Sequence, residues 1–297
     1  MILDNAIAVV RGGGDLGTGA ALRLQRAGWR VLVTELAKPL VIRRGAALAA
    51  AIYDGSIELE NTVGVKIDRA AEADRVWAAD RIPVLIDPDR SRTAQLQPTA
   101  IVDAIMAKRN TDTRLDAAPI VIALGPGFTA GVDCHAVIET QRGHTLGRVY
   151  YHGAAATDTG TPGKLGGEAA LRVLRAPIDG VFYAQRKIGD RVNVGDVIGR
   201  VIAVDISLTD SAARRLSAVD RDSSRPLGTV IHTKIAGVLR GLLRDGLMVS
   251  ANTKIADVDP RAEVSYCFTV SDKAWAVGGG VLEAALYLAR QSRISPP

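Results

Sequence analysis

The stretch Val9-Val10-Arg11-Gly12-Gly13-Gly14-Asp15-Leu16-Gly17-Thr18-Gly19-Ala20-Ala21 does most to restrict what this chain can become. The apolar run Ile7 to Val10 reads as a buried strand. It ends in a glycine turn and passes at once into Leu16–Ala27, where Leu16, Ala20, Leu24 and Ala27 hold helical spacing. Gly12, Gly14 and Gly17 keep the G-x-G-x-x-G spacing at that junction. The first allows a tight turn, the second lets a pyrophosphate reach the backbone, and the third lets helix and strand pack closely. The helix-start N–H groups, with Gly13 and Asp15 beside them, favour an anion. A second strand, Trp29–Thr34, ends in Glu35, placed to hold a ribose 2′-hydroxyl and to favour NAD-like over NADP-like ligands. A glycine turn that serves packing alone is the competing reading.

At 297 residues the chain predicts about two domains with ample core. Hydrophobic residues make up 47% and charged residues 23%, the balance of an ordinary soluble protein. No apolar run reaches the roughly 18 residues that span a bilayer, and no signal peptide opens the chain, so a cytoplasmic protein without membrane partners is expected. Two distant cysteines, Cys134 and Cys267, fit a reducing compartment and exclude a disulfide framework. The net charge of +5 comes from scattered arginine without a basic tract, and aromatics are only 4%, which argues against nucleic acid.

Alternation of strand and helix continues through a helix over Gly45–Tyr53, preceded by Arg43 and Arg44, which are candidates to reach a phosphate. It runs on through Val63–Ile67, a helix over Arg69–Ala79, Pro83–Asp87 and a strand-to-helix passage over Pro98–Lys108. Such alternation predicts a parallel sheet covered on both faces. Ala118–Leu124 is an unbroken apolar strand that enters a second glycine loop holding Gly125, Gly127, Phe128 and Thr129. If 132–140 is a strand, His135 and Glu139 share a face. With Arg142 and His144 they become candidate ligand contacts. Their spacing matches no compact zinc motif, and no metal is expected. Gly147–His152 reads as a strand, and the Asp158–Gly167 loop before a helix over Glu168–Leu174 fails the P-loop pattern at both Asp158 and Leu165.

From Ala176 the spacing becomes β-type. Ile178, Gly180, Val181, Gly189, Val192, Ile198 and Val201 recur 57 residues later as Ile235, Gly237, Val238, Gly246, Val249, Ile255 and Val258. Each copy is too small to hold a core alone, so pairing is expected. The pattern resembles the biotinyl/lipoyl-type barrel-sandwich domain. That family carries its cofactor on a lysine at a hairpin tip, and Asp205–Gly228 contains none, so covalent biotin or lipoate is not expected. The same stretch reads as an exposed polar insertion. Ser271–Arg290 holds helical spacing straight through Gly278-Gly279-Gly280; close backbone packing or a third glycine turn would each explain the triplet.

RGGGDLGTGAA, IRRGAALAAAIYDG, VDAIMAKRN, IALGPGFTAGVD, HAVIETQRGHTLGRV, TGTPG, GVLRGLLRDG, VSANTKIADVDPR and SDKAWAVGGGVLEAAL together resemble the YqeB-type family. These are accessory proteins that accompany selenium-dependent molybdenum hydroxylases. Cys134 and the Asp205–Gly228 insertion depart from the pattern. The resemblance implies an α/β class: a Rossmann-like parallel sheet domain over 1–173, an all-β barrel-sandwich domain over 174–260, and a C-terminal helical segment over 261–297. It also implies maturation of a molybdenum hydroxylase, with that enzyme or its maturation machinery as partner and a homo-oligomer left open. The ligand would be a nucleotide or dinucleotide, either NAD-like or molybdopterin dinucleotide. An NAD(P)-dependent oxidoreductase, using His135 or Lys108 for proton transfer, and a non-enzymatic adaptor are the alternatives.

Overall fold

A computed structural model describes residues 6–158, 170–203 and 228–291. The loop from Thr159, the start of the expected Glu168–Leu174 helix, and the insertion through residue 227 lie outside them. The chain divides into two compact units that do not follow the expected sequence blocks. One takes the described residues of Met1–Pro39, Ala46–Gly160 and Thr269–Pro297; the other takes those of Leu40–Gly45 and Thr161–Phe268.

In the first unit β1 (Ile7–Arg11) leads through the glycine turn into α1 (Asp15–Arg26), then β2 (Arg30–Glu35) and α2 (Ala51–Asp54). The hairpin β3 (Ser56–Leu59) and β4 (Thr62–Ile67), the short α3 (Ala73–Trp77) and β5 (Ile82–Ile86) follow. Next come β6 (Ala100–Asp103), β7 (Ile120–Leu124), β8 (Thr129–Ala130), β9 (Ala136–Ile138), β10 (Val149–Tyr150) and β11 (Gly153–Ala154). Nine of these strands form one sheet in the order β10-β9-β7-β6-β1-β2-β5-β4-β3, parallel inside and antiparallel at both edge pairs.

That order corrects the Rossmann-like expectation. A dinucleotide fold places its strands 3-2-1-4-5-6 with a helix in each crossover. Here β5 is inserted between β2 and β4, and the return from β5 to β6 and from β6 to β7 is carried by the single turns Ala94–Leu96 and Leu115–Ala117. The helices expected over Gly45–Tyr53 and Arg69–Ala79 shrink to short turns with α2 and α3. Alanine content favours helix, but segments this short do not repay nucleation. The strand expected over 132–140 is only Ala136–Ile138.

The C-terminal helix α4 (Asp272–Gln291) belongs to this unit and is no separate segment. It packs with α1 over one sheet face, burying Ala274, Val277, Val281 and Ala285 with Ala20, Val10 and Ile122. A Cβ on Gly19 would overlap the Ala274 carbonyl, one on Gly278 the Gly19 carbonyl, and one on Gly280 the Gly147 carbonyl. Close backbone approach therefore explains two of the three consecutive glycines, and the helix runs unbroken through them.

The second unit holds two four-stranded antiparallel sheets. The first contains β12 (Val173–Arg175), β14 (Arg191–Val192), β17 (Gly237–Leu242) and β19 (Lys254–Asp259). The second contains β13 (Gly180–Ala184), β15 (Val197–Ile202), β16 (Thr229–His232) and β18 (Leu247–Val249). Val173 and Leu174, expected to end a helix, are strand. The 57-residue repeat appears as reciprocal hydrogen bonds. Gly189 N–H donates to Leu239 O at 2.9 Å, and Gly246 N–H donates to Phe182 O at 2.8 Å. Gly195 to Thr233 and Asn252 to Ala176 form a second such pair.

A self-contained 174–260 barrel-sandwich module is nevertheless corrected. The unit recruits Leu40–Gly45 from the N-terminal half: Leu242 N–H donates to Ile42 O at 2.7 Å, and Gly241 leaves room for the Ile42 side chain. Arg43 and Arg44, expected near a phosphate, instead donate to the carbonyls of Tyr266 and Leu242.

Candidate functional site

The carboxyl ends of β1, β6 and β7 open on one edge of the sheet, because these neighbours are parallel. At the end of β1 the chain turns at Gly12, φ +95°, where a Cβ would stand 2.8 Å from Ala104 O. Gly13 is wedged between Ala49 and Val33, and a Cβ on Gly17 would overlap the Gly12 carbonyl. Gly14 caps α1 without any side-chain bond, and Asp15 accepts from Ser271 Oγ at 3.3 Å. The first N–H groups of α1, like those of any helix, have no acceptor within the helix.

Glu35 has a different job from the ribose contact expected of it. Its Oε1 accepts Gly13 N–H at 2.7 Å and its Oε2 accepts Leu36 N–H at 2.9 Å, so both oxygens brace the turn. Burial raises its pKa, and the two backbone N–H groups oppose that rise. Thr18 completes the brace, its hydroxyl donating to Gly13 O and accepting from Leu48 N–H.

The second glycine loop follows β7. Gly125, φ +76°, lies against Thr140, and Gly127, φ +100°, lies against the backbone of Lys108 and Arg109, where a Cβ would meet Arg109 N at 2.5 Å. Phe128 is buried in the core and Thr129 N–H is held by Asp133. One segment, Ala104–Asn110, therefore touches both glycine loops: Ala104 meets Gly12 and Arg109 meets Gly127. Met106 (φ 61°) and Lys108 (φ 62°) of this segment are left-handed, a costly conformation that is frequent at functional sites. Lys108 and Arg109 are exposed at its crest, Lys108 in an ion pair with Asp158 at 2.7 Å.

The sequence did not single out Arg109, and a helix was expected where this segment loops. Arg11 was also missed. It is buried, bonded to Thr113 Oγ1 at 3.0 Å and Asp112 at 2.6 Å, with Asp103 at 3.4 Å. Its signal was legible in part, since a charge ending an apolar strand demands acidic partners.

The candidate ligand contacts His135, Glu139, Arg142 and His144 are not brought together. His135 precedes β9, and its Nδ1 accepts the N–H of Val121 at 3.0 Å, near the amino end of β7; burial lowers its pKa. Glu139 lies past the other end of β9, buried, with its oxygens accepting from Gln141 and Ala156. Arg142 is clamped on Asp272 by two bonds of 2.7 and 2.8 Å, and His144 is exposed on the following turn. Among the described residues no group of His, Cys, Asp and Glu is arranged to hold a metal ion. No described helix is long and apolar enough to cross a membrane.

These features define an α/β protein with a glycine-lined, cation-crested strand edge. No family model matches the chain. It is 44% identical over 285 residues, 96% of its length, to the uncharacterized protein YqeB of Escherichia coli (strain K12). The chain spans about half the length of that relative, 48%. Similar solved structures include a succinylglutamate desuccinylase/aspartoacylase from Rhodobacter sphaeroides, at 12% identity with 86% of each chain covered and a TM-score of 0.26. An aspartoacylase family protein from Mesorhizobium loti has 9% identity, 86% and 84% coverage and a TM-score of 0.26. The product-bound ectoine utilization protein EutE from Ruegeria pomeroyi has 12% identity, 80% and 61% coverage and a TM-score of 0.24. The strand order and the recruitment of Leu40–Gly45 from the N-terminal half, described above, correct the Rossmann-like and barrel-sandwich expectations.

Proposed function

We propose that this chain binds a phosphate-bearing nucleotide or dinucleotide along the edge between Gly12–Gly17 and Gly125–Thr129. On this reading it serves as an accessory protein in the maturation of a molybdenum hydroxylase. The observation that carries the binding site is the single segment Ala104–Asn110 against which both glycine loops rest, with Lys108 and Arg109 at its crest. Small residues bring backbone close to a ligand, helix-start N–H groups favour its phosphate, and the cations add charge-assisted bonds. The molybdenum role follows from the family resemblance of the sequence; the E. coli relative's name states no activity.

Hydride transfer is less well supported. A dehydrogenase needs a proton-transfer group at the ligand, whereas Lys108 is ion-paired with Asp158 and His135 stands toward the other end of the strands. Native mass spectrometry of the protein purified from its own cytosol, followed by calorimetric titration with the released nucleotide, tests the proposal. Binding is expected for the unmodified chain and should be lost in Gly14→Val. Absence of any co-purifying nucleotide, together with no heat from NAD or molybdopterin dinucleotide, would overturn it.

A further inference from the structure

Asn110 ends the segment that carries Lys108 and Arg109, and both ends of its amide are engaged in holding that segment. Its Oδ1 accepts the N–H of Thr113 at 2.8 Å. Its Nδ2 donates to the Thr113 carbonyl at 2.9 Å and to Asp133 Oδ1 at 2.9 Å. The other oxygen of Asp133 accepts the N–H of Thr129 at 2.7 Å, inside the second glycine loop. One half-buried side chain thus joins the end of the crest to the loop that follows β7.

The start of the crest is fixed by buried partners. Asp103, the last residue of β6, accepts the N–H of Ile105 at 3.1 Å with one oxygen and the Thr113 hydroxyl at 2.5 Å with the other. Arg11, the last residue of β1, donates to the same hydroxyl at 3.0 Å. Thr113 therefore ties two strand ends through its hydroxyl and Asn110 through its backbone. The left-handed residues Met106 and Lys108 lie between the two anchors. Such residues persist where the surrounding structure holds them. Packing of Gly12 on Ala104 and of Gly127 on Arg109 sets how near the loops come, whereas hydrogen bonds also fix direction. A carboxylate of the same shape at 110 would keep the acceptor for Thr113 N–H and lose both donations.

We infer that Asn110 is a positioning residue, which sets the crest and the second glycine loop in register as one hydrogen-bonded unit. It acts through the placement of Lys108, Arg109 and the Thr129 backbone. Its consequence for ligand affinity rests on the nucleotide reading; the linkage of crest and loop does not.

Hydrogen–deuterium exchange of the full chain, resolved by peptide mass analysis, reads the linkage without any ligand. Asn110→Asp should speed exchange about tenfold in the 104–114 and 125–133 peptides. Unchanged exchange in β1 and α4 checks that the fold holds. Adding Asp133→Asn to Asn110→Asp returns a donor–acceptor pair of reversed polarity between the two positions. The double variant should recover slow exchange in 125–133 and stay fast in 104–114, because the Thr113 carbonyl still lacks its donor. Asp133→Ala reads the linkage from the other side, whether or not Asn110→Asp folds, and should speed exchange in 104–114. Calorimetric titration with NAD measures the consequence, and the affinity of Asn110→Asp should fall about tenfold. Exchange in 125–133 that is unchanged in folded Asn110→Asp or not recovered in the double variant overturns the inference. So does unchanged exchange of 104–114 in Asp133→Ala, or equal NAD affinity in the unmodified chain and Asn110→Asp. The expected exchange pattern without NAD binding to the unmodified chain supports the linkage and counts against the nucleotide proposal alone.

Discussion

Glu35 accepts the N–H of Gly13 across 2.7 Å, so the carboxylate that ends β2 holds the glycine turn that follows β1. Burial raises its pKa above the usual 4.5, with Leu36 and Gly13 N–H pulling the other way. The folded chain then binds this proton more tightly than the unfolded chain. The stabilisation is complete below about pH 4.5 and is lost as pH rises through the higher folded value. Glu35→Gln removes this dependence. Urea unfolding from pH 4 upward should show the unmodified chain losing stability relative to the variant as pH rises. Parallel curves would refute this.

Gly278 and Gly279 are neighbours with opposite constraints. A Cβ at 278 would overlap the Gly19 carbonyl, while nothing lies within 4 Å of one at 279. Gly278→Ala should cost about 1–3 kcal/mol because α1 and α4 must move apart. Gly279→Ala should stabilise by up to about 1 kcal/mol through helix propensity. Thermal unfolding of the two single variants distinguishes close packing from a general intolerance of this triplet.

Cys134 is buried, and burial, reinforced by the Asp133 carboxylate, pushes its thiol up to about 12. Thiolate is the reactive species, so almost none is present at neutral pH. Iodoacetamide at pH 8 should leave Cys134 unmodified in the folded chain and alkylate it in urea, as peptide mass mapping would show. Rapid alkylation of the folded protein would mean that the thiol is activated.

The glycine turn, β7 and the 57-residue repeat were legible because their signals are local: apolar runs, glycines at strand ends and a fixed offset. The crossovers were not. Alanine-rich segments around 45–53 and 69–79 carry helical composition, and there the chain forms 3-10 turns that run into the short α2 and α3 rather than full crossover helices. Leu40–Gly45 joins the second unit through Gly241 and Leu242, about 200 residues away, which no window of sequence reveals. The candidate contacts from His135 to His144 did not come together because strand spacing was extended over nine residues, 132–140, of which three form strand. Face-sharing holds only where the strand continues.

The pairing of Arg142 with Asp272, 130 residues later, reassigns a cation expected at the ligand. The guanidinium faces the first turn of α4 with both nitrogens engaged, and the Asp272 side chain is two-thirds exposed. Solvent screens such a pair, so Arg142→Ala should cost about 0.2–1 kcal/mol of stability and leave nucleotide affinity unchanged. On the proposed nucleotide reading the phosphate falls instead to Arg109, exposed at the crest beside Gly127. Arg109→Ala should weaken nucleotide binding by about 1.5–3 kcal/mol while leaving the unfolding midpoint in place. Calorimetric titration of both variants decides between them. A loss of affinity in Arg142→Ala, with none in Arg109→Ala, would move the ligand from the Ala104–Asn110 crest to the β9–β10 turn.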